Sequence, residues 1–155
     1  MLFLFMQQFD WILKSFDQLT ITDLYAILRL RSEVFVVEQD CVYLDIDNKD
    51  KKALHLFAKN DDDEIVAYAR LFNKGDYFKE ASIGRVVTCI KHRKLGLGHL
   101  LMEKSVKAIN TNFGETKITI SAQEYLKQFY ESHGFIQTSA MYLEDNIPHI
   151  EMKRI

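Results

Sequence analysis

The sequence predicts one α/β (α+β) domain with a mixed central sheet of six to seven strands and helices on both faces. Three observations carry this. The length, 155 residues, suits a single core. The apolar pattern switches repeatedly between a strand period and a helix period, in the order β-α-β-β-β-α-β-α-β-β. That order mixes a hairpin meander with crossover helices, which predicts a mixed sheet.

Each element has its own reason. Residues 9–16, with Phe9, Trp11, Ile12, Leu13 and Phe16, read as a first strand. Thr20 and Thr22 are cap residues for a helix reaching about Val37, with Leu24, Ile27, Leu28, Arg31 and Phe35 on one face. The polar stretch 39–50 reads as a loop. Ala53–Lys59 and Glu64–Phe72 form a hairpin around Asn60-Asp61-Asp62-Asp63. Residues 73–80 form the next loop, and Ala81–Ile90 is apolar enough for a strand buried on both faces. A helix from Leu97 carries Leu100, Leu101, Ser105, Ala108 and Ile109 on its apolar side. Lys117–Ser121 is a short strand, and Gln123–His133 a helix that Gly134 stops. Phe135–Tyr142 and Pro148–Lys153 close the sheet.

Composition narrows the function. Apolar residues make up 48% and the net charge is −2, which argues for an ordinary globular chain and against a nucleic-acid binder. No run approaches the ~20 apolar residues of a membrane helix. Cys41 and Cys89 have no metal-ligand spacing, so no metal is expected, and a reduced, cytoplasmic setting fits. Residues 1–6 read as a disordered or edge segment, with Met6 as an alternative start.

Two stretches carry chemistry. Arg93-Lys94-Leu95-Gly96-Leu97-Gly98 joins an apolar strand to a helix start. Helix N-termini offer unpaired N–H groups, glycines allow close backbone approach, and Lys94, Arg93 and Lys91 add charge, so phosphate binding is one reading. A basic turn with no ligand is the other. Phe129-Tyr130-Glu131-Ser132-His133-Gly134-Phe135 ends a helix. Tyr130 sits at the margin of its apolar face, where a phenol with pKa ~10 is a protonated donor at neutral pH.

Together these stretches resemble the GNAT superfamily of N-acetyltransferases, over nearly all of the chain. Its cofactor signature (Gln or Arg, two residues, Gly, one residue, Gly or Ala) is matched by Arg93, Gly96 and Gly98. Its second signature is matched at Tyr130, Gly134 and Phe135, with Gln123 where the family usually has Asn and Leu126 where it usually has Ala. The ElaA-type branch is the closer match, through residues 30–39, 65–70, 83–86 and 134–135, with 147–152.

The resemblance implies one acetyltransferase domain over residues 1–155 and acetyl-CoA as co-substrate. Val86, Val87 and Thr88 would pair with the pantetheine arm. Arg93, Lys94, Leu95, Gly96, Leu97, Gly98 and His99 would wrap the pyrophosphate, and Gln123 would add a contact. Tyr130 would protonate the leaving thiolate. The base stays open among Glu38, His55, His149 and Glu151, with Glu38 put forward. Arg31, Glu38, His55, Arg85 and His149 would shape the acceptor site, with Arg31 and Arg85 paired to acids such as Glu38. Acidic loops at 39–50 and 73–80 favour a cationic amine, either a small molecule or a peptide. A monomer or homodimer is expected, with no nucleic acid and no membrane. The alternatives are a non-catalytic acyl-CoA sensor and a ligand-free interaction domain.

Overall fold

The computed structural model describes residues 8–155, so the expectation about residues 1–6 lies outside the described residues. Strand β1 (Asp10–Ser15) leads to helix α1 (Ile21–Arg31), which continues as a π-helical segment, Ser32–Glu38. Thr20 caps α1: its side chain accepts the Asp23 N–H at 3.0 Å. A 3₁₀ turn, Lys49–Lys52, precedes β2 (Leu54–Lys59) and β3 (Ile65–Phe72). The turn between them is the expected Asn60 hairpin, in which the Asn60 side chain accepts the Asp62 and Glu64 N–H groups. Then come β4 (Ser82–Thr88), α2 (Leu97–Phe113), β5 (Ile118–Gln123), α3 (Lys127–Glu131), β6 (Ile136–Gln137), β7 (Tyr142–Glu144) and β8 (Ile147–Arg154).

The fold class is the expected one, but the sheet is split. Strands β1-β2-β3-β4 form one antiparallel sheet, and β5, β8, β6 and β7 form a second, with β6 and β7 both on β8. Among the described residues, a single parallel bridge, Ala81 to Ile118, ties them, and the Thr119 N–H donates to the Ala81 carbonyl at 2.9 Å. The cause lies in β4. Between the Tyr68–Val87 and Arg70–Gly84 pairs, β4 has two residues where β3 has one. Arg85 takes φ +50 there. Such a bulge bends and twists the strand, which turns β4 away from β5.

Three other elements depart from expectation. The helix expected over 123–133 is shorter, because Gln123 still pairs with His149 as a strand residue. A 3₁₀ turn at Glu124–Leu126 intervenes, and only Lys127–Glu131 is α-helical. Gly134 does stop it, at φ +85, with the Phe135 N–H returned to the Tyr130 carbonyl. The strand expected over 135–142 breaks into β6 and β7 because the Ser139 hydroxyl takes the Glu151 N–H that a backbone carbonyl would otherwise accept. On α2, Leu97, Leu101, Ser105, Ala108 and Ile109 are buried as expected, but Leu100 is 41% exposed. At about 100° per residue, it falls outside the arc that Leu97 to Ile109 define.

The core has two parts. Leu56, Ala67, Ala69 and Leu71 meet Leu101, Met102 and Ile109 of α2 on one face of the first sheet. Ile27, Leu30 and Val34 meet Phe57, Tyr68 and Val87 on the other. Helices thus cover both faces, and β3 is buried along its whole length. That rigid centre fixes where β4 starts to diverge.

Candidate functional site

The divergence of β4 from β5 opens a cleft of about 590 Å³. Residues Ile83 to Thr88 form one wall, and Ile120, Ser121 and Gln123 part of the other. Among the described residues, only Ala81, just before β4, bridges to β5, so the β5-facing side of β4 is free to accept an added strand beyond that point. Val86, Val87, Thr88, Arg93, Gly98, Gln123 and Tyr130 all line this cleft.

At one end lies the start of α2. Its N-cap residue, Gly96, has φ +72, and no side chain caps the helix. The first-turn N–H groups therefore have no side-chain partner of the usual capping kind. A Cβ at Gly96 would meet nothing within 4 Å, so the space beside the backbone is open. Lys94, at φ +72, Leu95 and His99 are exposed around this helix start. Leu97 is a core residue instead, 2% exposed. Gly98 lies against the Phe129 ring, which a Cβ would touch at 3.7 Å. Open amides, positive charge and a close-approach backbone make a fitting cradle for a diphosphate.

Arg93 is not free at this end. Its guanidinium makes a bidentate pair with the carboxylate of Glu38, Nη2 to Oε2 at 2.7 Å. This tie joins the end of the π-helical segment to the turn before α2. Hydrogen bonds from Arg93 hold the Glu38 carboxyl below the usual carboxylate range. A carboxylate so stabilised is a poor proton acceptor.

Tyr130 lines the cleft, buried and edge-on to Phe129 and Phe135. Burial pushes its phenol above the ordinary value, helped by Tyr125. It stays protonated across the neutral range.

Arg31 and His55 lie away from the cleft wall. Arg31 is fully buried; its Nε donates to Asp45 at 2.9 Å, its Nη1 to Asp50 at 2.8 Å and its Nη2 to the Asp45 carbonyl at 3.0 Å. Arg70 reaches Asp47 at 2.7 Å and Asp50 at 3.0 Å. Arg85 donates to Asp45 at 2.7 Å while also lining the cleft. His55, buried, faces the Tyr68 hydroxyl at 2.8 Å and the Asp50 carbonyl at 2.9 Å, and burial lowers its pKa. These pairings correct two expectations: Arg31 and Arg85 pair with Asp45, Asp47 and Asp50 rather than with Glu38, and those three acids of the 39–50 loop are tied to arginines rather than left to favour a cationic amine. Their acidity is spent inside the fold and cannot recruit an amine.

The other end of the cleft carries residues from β5, β7 and β8. His149 is buried at the cleft wall. Glu144 sits beside it, 3.2 Å from Nε2, and was not foreseen. The signal was present: Asp145-Asn146 between alternating residues marks a two-residue hairpin turn, and both have positive φ, +50 and +62. Glu151 bonds Thr138 instead and does not line the cleft.

Comparison with known proteins gives a consistent result. The family model for the acetyltransferase (GNAT) domain matches residues 20–155. The chain is 39% identical to the protein ElaA of Escherichia coli over 148 residues, 94% of this chain and 95% of that one. The crystal structure of E. coli ElaA superposes with a TM-score of 0.89 at 37% identity, covering 96% of this chain and all of the other. The crystal structure of an acyl-CoA N-acyltransferase from Pseudomonas aeruginosa superposes with a TM-score of 0.88 at 42% identity, covering 94% and 99%. Among the described residues, no helix is long and apolar enough to cross a membrane.

Proposed function

The chain belongs to the GNAT acetyltransferase family, and from that premise we propose that it moves an acetyl group from acetyl-CoA to a primary amine by direct attack. One observation carries the reading: an uncapped α2 start and a buried, protonated phenol line the same cleft as the free side of a bulged β4. The first would hold the pyrophosphate. The third would take the pantetheine arm as an added strand, through Val86, Val87 and Thr88, and an amide there would polarise the thioester carbonyl. Lys94, Gly96, Gly98 and His99 would surround the phosphates, with Arg93 braced by Glu38 on the same rim.

Tyr130 is the proton donor to the departing sulfur. Its raised pKa leaves the phenol weakly acidic against bulk water. The sulfur, however, leaves inside the same dry pocket, where burial also makes a thiolate more basic. The transfer is therefore to a base created next to it. Glu38 is assigned a bracing part rather than that of base, because Arg93 already claims both its oxygens.

The direct test is a CoA-release screen over polyamines, amino sugars, amino acids, antibiotics and peptides. Acetyl-CoA at 100 times its Kd should raise stability by roughly 2.7 kcal/mol, read as a thermal shift. Tyr130→Phe should keep that shift and lose about 10²–10⁴-fold in kcat. An unchanged kcat removes Tyr130 from the mechanism, and no shift removes the cofactor.

A further inference from the structure

The strand register gathers a set of polar side chains at the acceptor end. Ser121 and Gln123 lie two apart on β5; Gln123 pairs with His149, and His149 with Tyr142. Glu144 lies two residues from Tyr142 and opposite Ile147. Directly paired residues share a face, and so do residues two apart. Ser121, Gln123, Tyr142, Glu144 and His149 therefore stand on one face of the second sheet, and all but Tyr142 line the cleft.

Within this set His149 is held in a particular state. Its Nδ1 lies 2.7 Å from the Ile147 carbonyl, so that nitrogen carries a hydrogen. The basic lone pair of the neutral ring is then at Nε2, which faces Glu144 Oε2 at 3.2 Å. Protonating Nε2 turns that contact into a charge-assisted hydrogen bond, with both ring N–H groups satisfied. Glu144 is in turn approached by the Ser121 hydroxyl at 3.5 Å, and Ser121 is hydrogen-bonded to Tyr142.

We infer that His149, oriented by Glu144, takes the proton of a cationic primary amine arriving at this end of the cleft, an inference that rests on the acetyl-transfer reading above. His149 is the catalytic residue and Glu144 the positioning residue. The charged and titratable groups around them include Glu144, Tyr142 and Asp145 from the hairpin, with Tyr43, Arg85, Arg93 and Glu38 elsewhere on the cleft lining. Arg85 is committed to Asp45 and Glu38 to Arg93. Among the described residues, Glu144 and Asp145 have no lysine or arginine partner within 4.0 Å. That end is net negative, which favours an ammonium over a carboxylate-bearing acceptor.

The proton count closes. One ammonium proton passes to His149 Nε2 as the ammonium draws the Glu144 carboxylate off that nitrogen and onto itself, and the proton then goes to solvent. The nitrogen lone pair forms the C–N bond at the thioester carbon, and the C–S bond breaks. The sulfur takes the Tyr130 proton, and the nitrogen's second surplus proton restores the phenol through water. The products are the amide, free thiol and one released proton.

The test uses the full chain with His149→Ala and Glu144→Gln, measuring CoA release with the amine screen, kcat/KM against pH, and acetyl-CoA affinity by calorimetry. His149→Ala should lower kcat about 10²–10⁴-fold with acetyl-CoA affinity unchanged, and added imidazole should restore part of it. Glu144→Gln, at a more exposed position that leaves folding alone, should move the acidic limb of kcat/KM to lower pH, because the imidazolium loses its carboxylate. A His149→Ala kcat within about twofold of wild type, or an unmoved limb in Glu144→Gln, overturns the inference and leaves acetyl transfer standing. Wild-type protein that binds acetyl-CoA but releases CoA with no amine sinks acetyl transfer, and this inference with it.

Discussion

Arg31, Arg70 and Arg85 meet Asp45, Asp47 and Asp50 in a cluster of three positive and three negative side chains whose formal charges cancel. Glu144 and Asp145 face the cleft with one histidine for company. In the first region nearly every donor is satisfied and no charge is left to meet a ligand. In the second, charge is left over and faces open space. The difference separates a structural use of charge from a chemical one: the sign that matters is the imbalance, not the number of charged residues. Arg85 is the hinge between them, because it closes the first region and lines the second.

The sharpest way to break this contrast is to unbalance the closed cluster. Arg31→Met removes the fully buried guanidinium and leaves an acid in excess among Asp45, Asp47 and Asp50. A loss of about 3–5 kcal/mol is expected in urea unfolding. The pH dependence adds a second readout. Burial alone would raise the Asp50 carboxyl, but hydrogen bonds and charge from Arg31, with Arg70, outweigh it and hold the pKa below the ordinary value. Asp47 is likewise held low, burial being outweighed by Arg70. A carboxyl depressed in the folded state gives stability that is present above its unfolded pKa, ~3.9, and lost as pH falls through the folded value. Wild-type stability should therefore drop as pH falls below about 4. In Arg31→Met that drop should be shallower, since Asp50 has lost one of its two guanidinium partners. An equal slope in both proteins would show that Arg31 does not hold Asp50 ionised.

A smaller effect tests the open side of the comparison at its other end. Gly96 has φ +72 with open space where a Cβ would stand, so Gly96→Ala introduces conformational strain without a clash. The expected cost is about 1 kcal/mol in thermal unfolding. The more telling readout is affinity. If the amides after Gly96 hold phosphate, acetyl-CoA should bind the variant several-fold more weakly. Equal affinity would mean the helix start is only a turn.

What the sequence revealed follows from how far apart the interacting residues are. The Thr20 cap, the Asn60 hairpin and the Gly134 stop each depend on residues within five positions, and each is where local chemistry puts it. The basic turn into α2 was legible for the same reason. The partners of the arginines were not: Arg31 and Asp45 are 14 residues apart, Arg85 and Asp45 40, Arg93 and Glu38 55. Nothing in a local pattern says which of several nearby acids a guanidinium will meet, so Glu38 was matched to the wrong arginine. The split of the sheet was hidden too, because it depends on one extra residue in β4, which pairing with β3 reveals and composition does not. Glu144 was missed for a different reason. Its Asp145-Asn146 turn is a local signal, but its meaning comes from β8 bringing His149 alongside.

The smallest expected effect makes the contrast sharpest. Arg29 and Glu33 form an ion pair at 3.0 Å, close to the 2.8 Å of Arg31 and Asp50, and they lie on neighbouring turns of the same helical stretch. Their side chains are 72% and 49% exposed, against 1% and 7% for the buried pair. Water already solvates both exposed charges, salt screens them, and holding two long side chains together costs entropy. Glu33→Ala should therefore cost only about 0.3–0.5 kcal/mol, an effect that added salt erases. Arg31→Met should remain costly in the same salt, because a desolvated charge has no ions near it to take the missing partner's place. Distance and charge type being nearly matched, a Glu33→Ala loss as large as that of Arg31→Met would mean that burial is not what distinguishes the two pairs.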